Sequence, residues 1–494
     1  MTSPVGEIAP REDGSLGHAP GTAGTGFTSI GGAPPCPSAA AEALIARKEQ
    51  RMVTPKCIEA MVDRTPYAAR VSATTHARQS TWRTVSAGLV GNMLEWYDFS
   101  VYGYLAAPIG AQFFPHDDPF TQQILVFATF AVGFVARPIG GLVLGRFGDL
   151  HGRRALLTLS ITLIAASTLA MAVLPTAASI GITAPILMIL LRVVQGFSLG
   201  GEFTGSIVYT TEMATRGRRG LISSSTAFGT SLGFVLGSGA VALSTYALGN
   251  EAMHQWGWRV PLAASVGFAA VGWWVRRTAH ETPEARLSAR ARPRLATAFA
   301  SDWRAMVRLF SIIGVSNAAL YFTVTAEVEA AKIRLPEQAA FIQGLATAGL
   351  AIVALSKVAG GWLSDRLGRR RSALAVTVLL MAALVPGHLA FAHGTPGAVM
   401  LGLIIMGIPL AMHLGLQGAL VVELFPVASR VMSMSFSYSI TLALVGGTAP
   451  LIYSWLVTKH DLEWGPTIWM AALGALSFVA LISMRDTTDR PLDQ

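Results

Sequence analysis

From about residue 84 to residue 484 the chain alternates long apolar runs with short polar breaks. Twelve runs can be counted, at 84–110, 121–145, 155–174, 185–213, 221–248, 259–276, 308–330, 339–363, 372–393, 396–423, 431–457 and 466–484. A helix crossing a bilayer needs about 20 apolar residues, and the longer runs predict tilt. The pattern predicts an all-α integral membrane protein with twelve transmembrane helices. The longest break, 277–307, divides them into a six-helix bundle over 84–276 and another over 308–485, joined by a linker. Residues 1–80 have no such runs and are rich in Gly, Ala, Ser, Thr and Pro. They read as a disordered tail, with Met52 or Met61 as alternative starts. Residues 486–494 form a short second tail.

Composition excludes an ordinary soluble enzyme. Hydrophobic types make up 52% and charged types 13%, with mean hydropathy +0.50; soluble domains carry roughly 25% charge. The net charge of +9 raises nucleic acid as a partner, but the placement of the cations removes it. With the N-terminus in the cytoplasm, the inward breaks and the two tails hold 30 of the 37 Lys and Arg residues. That is the positive-inside pattern, and it puts both termini in the cytoplasm. Cys36 and Cys57 both lie in the first tail, so neither a disulfide framework nor a cysteine metal site is expected. The chain has no phosphate-cradling Gly-x-x-x-x-Gly-Lys loop and no His-Glu-x-x-His pair, which argues against ATP drive, a metal centre or any other cofactor.

A repeat defines the architecture. Gly145-Arg-Phe-Gly-Asp149-Leu-His-Gly152-Arg153-Arg154 follows the second run, and Gly361-Trp-Leu-Ser-Asp365-Arg-Leu-Gly368-Arg369-Arg370 follows the eighth, 216 residues later. Glu212 precedes Arg219 by seven residues, and Glu423 precedes Arg430 by seven, at an offset of 211. Duplication of a six-helix unit is a recurring transporter plan. The glycines permit a tight turn and close approach, and the Asp can pair with arginines and helix-end amides.

With these two loops in register, the chain resembles the major facilitator superfamily. The resemblance implies two six-helix bundles, with the loop residues, Glu212, Arg219, Glu423 and Arg430 forming a cytoplasmic gate. Gly91-Asn-Met-Leu-Glu95-Trp96-Tyr97-Asp98-Phe99, Arg137-Pro-Ile-Gly-Gly141, Arg192-x-x-Gln195-Gly196, Gly200-Gly201-Glu202, Trp256-Gly-Trp-Arg259-Val-Pro261 and Glu423-Leu-Phe-Pro426 narrow it. Together they resemble the metabolite:H+ symporter family, which includes permeases for proline and glycine betaine, 2-oxoglutarate, citrate and shikimate. The resemblance implies a monomeric inner-membrane carrier whose energy source is the proton gradient.

Charges at membrane depth need a partner or a task, because each costs at least about 2.5 kcal/mol. Glu95 and Asp98 stand one turn apart on one helix face, and two carboxylates there cannot both ionise cheaply. With Glu202 they are the proton-coupling candidates, and Arg137 and Arg192 are their countercharges. Each carboxylate equally fits fixed pairing with an arginine, and Glu202 a packing role between its glycines. Arg137 also suits a substrate carboxylate. Tyr97, Tyr102, Phe203 and Trp96 could offer an aromatic face to a quaternary ammonium, or simply pack. Lys357 is expected to bind an anionic substrate, to pair with Glu327 or Glu329, or to snorkel towards the inner end. His413 is a lone buried imidazole.

The expected function is proton-coupled uptake of a small polar metabolite such as proline or glycine betaine. Proton-coupled transport of a di- or tricarboxylate, such as 2-oxoglutarate or citrate, or of shikimate is the alternative, with Arg137 and Lys357 as apt cations for a di- or tricarboxylate. An exporter and a non-transporting sensor of the same fold remain open.

Overall fold

The computed structural model describes residues 81–115, 119–291, 295–323, 327–488 and 490–492. The predicted N-terminal tail and its two cysteines lie outside them. All described residues fall in one compact unit.

The twelve apolar runs appear as helical segments in the expected order. In the first half they are α1 (Thr81–Tyr104), α2 (Pro119–His151), α3 (Arg153–Val173), α4 (Thr183–Met213), α5 (Arg219–Ala252) and α6 (Arg259–Arg277). In the second half they are α7 (Leu295–Tyr321), α8 (Ala339–Leu367), α9 (Arg369–Ala392), α10 (Pro396–Val422), α11 (Arg430–Thr441, continued by π turns) and α12 (Gly465–Ile482). Among the described residues, seven helices (α3, α4, α5, α8, α9, α10 and α12) are long and apolar enough to cross a membrane. Of the others, α1 carries Glu95 and Asp98, α6 has terminal arginines, α7 carries Asp302 and Arg304, α11 runs into π turns, and part of α2 lies outside the described side chains.

Local chemistry explains the ends. Gly152 and Gly368 sit at φ +103° and +90°, a conformation that glycine adopts without steric penalty, so α2 turns into α3 and α8 into α9 over a single residue. Thr395 accepts a hydrogen bond from the amide of Ala398 at 3.2 Å, and Pro396 follows it at the first helical position, starting α10. The expected linker is largely helical. Pro283–Ala291 forms a short helix against α2, and α7 begins at Leu295 instead of residue 308.

The surface is apolar where a membrane would touch it. Val135, Ile139 and Val143, at four-residue spacing along α2, are 50–71% exposed. Inside, one apolar cluster joins the halves at the arginine-rich end, combining Leu144, Ile207 and Val208 with Val431 and Met434. The halves meet chiefly through α2 against α11 and α5 against α8.

Candidate functional site

Near the middle of α1, Glu95 and Asp98 are each 2% exposed, and Arg137 and Arg192 are each 5% exposed. Their spacing suggested a shared environment, but the structure gives each carboxylate its own partners. Glu95 Oε1 lies 3.5 Å from Arg137 Nη2. Its other oxygen is buried without a hydrogen-bond partner among the described residues. Asp98 accepts a hydrogen bond from Thr168 at 2.6 Å. Gln195 donates to the same Thr168 oxygen at 2.9 Å, and Arg192 donates to Gln195. The Arg192 guanidinium also lies 3.3 Å from the centre of the Tyr102 ring, which makes Tyr102 an anchor for arginine.

Around the Glu95–Arg137 pair stands an aromatic group drawn from both halves. Arg137 lies 4.8 Å over the Phe134 ring. Phe134 meets Phe99 at 5.6 Å and Tyr321 of α7 at 6.5 Å. Phe203 of α4 meets Tyr438 of α11 at 5.0 Å. The Tyr321 hydroxyl is buried and finds no hydrogen-bond partner among the described residues. Tyr321 and Tyr438 carry no motif, so sequence reasoning missed them. Tyr97, an expected substrate residue, instead donates to the Pro261 carbonyl of α6 at 2.7 Å. Trp96 packs on Phe99 and Phe234.

Two expectations change. Glu202 is not brought to Arg137 or Arg192: it forms a fully buried ion pair with Arg276, which also donates to the Leu157 carbonyl at 2.8 Å. Arg276 was not singled out in the sequence because it opens an Arg-Arg pair at the end of a run. Gly91 makes room for this pair, since a methyl group there would collide with both Arg276 and Glu202. Lys357 does not pair with Glu327 and does not snorkel. Its ammonium donates to the Ala227 carbonyl at 2.9 Å and to Thr230 at 2.7 Å, both on α5. Glu327 accepts from Tyr453 at 3.4 Å, and the Glu329 side chain lies outside the described residues. His413 is held structurally between Thr377 at 3.2 Å and Gln417 at 2.9 Å.

At the arginine-rich end the two repeat loops tie the halves together. Asp149 accepts from the amides of Val431 and Met432 at 3.3 and 2.9 Å, at the start of α11. Asp365 accepts from those of Gly220 and Leu221, both at 2.8 Å, at the start of α5. A carboxylate over a helix N-terminus meets unpaired amides and the positive end of the dipole. Arg153 bridges Asp149 and Glu212, and Arg430 reaches Glu212 across the halves at 3.0 Å. Arg369 bridges Asp365 and Glu423, and Arg219 reaches Glu423 at 3.5 Å. Gly145 and Gly361 allow the contact, since a methyl group on either would strike the facing helix. Arg154 and Arg370 turn aside: each donates to carbonyls at the end of the last helix of its half, Arg277 or Leu481 and Ile482.

A further repeated pair joins this network. Glu281 accepts from the amides of Arg153 and Arg154, and Thr282 donates to Glu212 at 2.6 Å. Asp486 accepts from the Arg370 amide, and Thr487 donates to Glu423 at 2.6 Å. The signal was an acid–Thr pair after the last helix of each half. Burial works against ionising Asp486, but hydrogen bonds from Thr488 and from backbone amides hold its carboxyl below the usual range. Glu284, on the linker helix, is pushed up to about 7 by burial and then by the charge of Glu212.

Comparison with known proteins agrees with this geometry. Residues 84–301 match the sugar (and other) transporter family, and residues 336–493 match the major facilitator superfamily. The ectoine/proline transporter of Corynebacterium glutamicum is 35% identical over 83% of this chain and 84% of its own length. The proline/betaine transporter of Salmonella typhimurium is 30% identical over the same shares. The chain belongs to the major facilitator superfamily. Its fold matches that of the superfamily's proton:xylose symporter bound to 6-bromo-6-deoxy-D-glucose, with TM-score 0.65 and 15% identity over 84% of this chain and 98% of the other. This major facilitator is an integral membrane transporter and not an enzyme.

Proposed function

We propose that this transporter takes up a zwitterionic compatible solute, such as proline, glycine betaine or ectoine, together with protons across the bacterial inner membrane. All twelve helical segments would span the membrane, with both termini and the arginine-rich end in the cytoplasm. It would work as a monomer by alternating access, with no cofactor beyond the proton gradient.

The observation that carries this reading is the buried Glu95–Arg137 pair inside aromatic faces from both halves. Glu95 is a ready competitor for Arg137. A proton on Glu95 cancels its attraction and frees the guanidinium for a substrate carboxylate. The cationic nitrogen of the substrate can then face the rings of Phe134, Tyr321 and Tyr438. Asp98, with Thr168, Gln195 and Arg192, forms a second proton-binding group one turn away. The names of the relatives support the same class. The dicarboxylate alternative is weakened because Lys357 directs its ammonium to α5. The residues of the expected gate are joined in this structure, which on this reading corresponds to a state closed on the cytoplasmic side.

The test is reconstitution in liposomes with an inward proton gradient and labelled proline, glycine betaine, ectoine, 2-oxoglutarate and citrate. Gradient-driven uptake of a zwitterion that is lost in Glu95→Gln supports the reading. Uptake that ignores both gradient and substitution sinks proton coupling. Uptake of the dicarboxylate alone sinks the substrate class.

A further inference from the structure

Lys357 is left without a task by this reading. Its side chain is 7% exposed. It lies ten residues before the end of α8 at Leu367, about 15 Å along the helix and so near mid-membrane. Its two acceptors, the Ala227 carbonyl and the Thr230 hydroxyl, are both uncharged and both belong to the opposite half. Thr230 also donates its own hydrogen to the Ala227 carbonyl at 2.7 Å. Among the described residues no carboxylate pairs with Lys357. Asp365, two turns further along α8, is taken by the Gly220 and Leu221 amides and by Arg369. The contrast with the gate is direct, since there Arg153, Arg219, Arg369 and Arg430 each face a carboxylate.

We infer that Lys357 is the residue that biases the transporter towards cytoplasmic opening, by being dry while α5 and α8 touch and hydrated once they part. The inference rests on the alternating-access reading above. Two neutral acceptors return only part of the hydration that a buried ammonium loses. A latch would require a counter-ion, which would recover that loss through its charge. The α5–α8 contact is therefore held together by Asp365 and the gate pairs and strained by Lys357. An apolar side chain of similar length relieves the strain and holds the cytoplasmic side shut. The task of the lysine is to keep the closed state shallow enough to leave.

The test reads gate opening and needs no substrate. In the full chain, Cys36 and Cys57 are replaced by Ser, and Ser224→Cys is introduced on α5. Ser224 is fully buried and faces Gly361 of α8. Inside-out vesicles present this position to a membrane-impermeant maleimide only when α5 and α8 part. Lys357→Met should slow labelling about tenfold relative to Lys357, as expected when an apolar isostere stabilises a dry interface. Lys357→Arg keeps the charge and should label at close to the parent rate. Lys357→Gln, also uncharged, should label slowly too and guards against a folding defect peculiar to Met. Equal rates for Lys357 and Lys357→Met, or faster labelling of the Met variant, would overturn the inference. Uptake measured in parallel separates the two readings. Absent uptake in the parent chain counts against the proposed substrate, whereas the labelling order alone decides the role of Lys357.

Discussion

The α2–α11 and α8–α5 contacts occupy equivalent places in the two repeats, and they diverge with depth. At the arginine-rich end they match closely: Asp149 covers the amides of Val431 and Met432, and Asp365 those of Gly220 and Leu221. The cross-half ion pairs already differ, at 3.0 Å for Arg430–Glu212 and 3.5 Å for Arg219–Glu423. Two turns deeper, α2 presents Gly141 against the Ser435 backbone, while α8 presents Lys357 at the repeat-equivalent position. Opposite them, α11 carries Tyr438 where α5 carries Ala227. The bulk sits on α11 in one contact and on α8 in the other. Joining the ends needs only an acid over a helix start, so both copies can keep it. On the proposed reading the mid-depth positions would meet substrate and protons, so there the copies can specialise.

The largest test of this asymmetry is Arg430→Met. It removes a buried partner from Glu212 and should cost the closed state about 3 kcal/mol. Labelling of Ser224→Cys should then rise on the order of a hundredfold; an unchanged rate would mean that the pair does not hold the gate. Gly145→Ala comes next, because the new methyl would lie 2.7 Å from the Met432 Cα. Overpacking of that kind costs about 2 kcal/mol. Gly361→Ala should act similarly, and tolerance of one alone would show which contact is softer. Arg219→Met should cost only about 1 kcal/mol, since its pair is longer and more exposed. Equal effects of Arg219→Met and Arg430→Met would erase the difference read from the distances.

The smallest effect is a pH dependence confined to the first repeat. In the closed gate the Glu284 carboxyl rises from its ordinary 4.5 to about 7, through burial and then the Glu212 charge. Once the gate opens and water reaches it, the carboxyl returns to the ordinary range. The closed state therefore binds this proton more tightly. Its contribution to closure is fully present below about 4.5 and is lost as pH rises through about 7. Opening should quicken from pH 5 to pH 8, and Glu284→Gln should flatten that rise. A variant with an undiminished pH slope would place the titrating group elsewhere.

Much of this arrangement was legible in the sequence. Hydropathy placed the helices, and the repeated loops named Asp149, Asp365, Glu212 and Glu423 and their arginines as one group. Periodicity gives a residue its depth and its face, but it does not say which helix lies opposite. That is why Glu202 was assigned to Arg137 or Arg192 when Arg276 holds it, and why Lys357 was sent towards Glu327 or Glu329. Tyr321 and Tyr438 escaped for the same reason, because their neighbours in space lie in the other half of the chain. The helical start of α7 at Leu295 was hidden by Asp302 and Arg304, which read as linker.

Arg276 has a mechanical consequence. From α6 it reaches the Ala87 carbonyl of α1 at 3.4 Å, the Leu157 carbonyl of α3 and the Glu202 carboxylate of α4. Four helices are pinned at a single node, buried beneath Gly91 where no side chain can wedge in. Such a node resists sliding of one helix past another. These four helices should therefore pivot like a stiff plank, so that a displacement at Glu212, at the arginine-rich end of α4, arrives at Tyr104, where α1 ends, with little lost to bending.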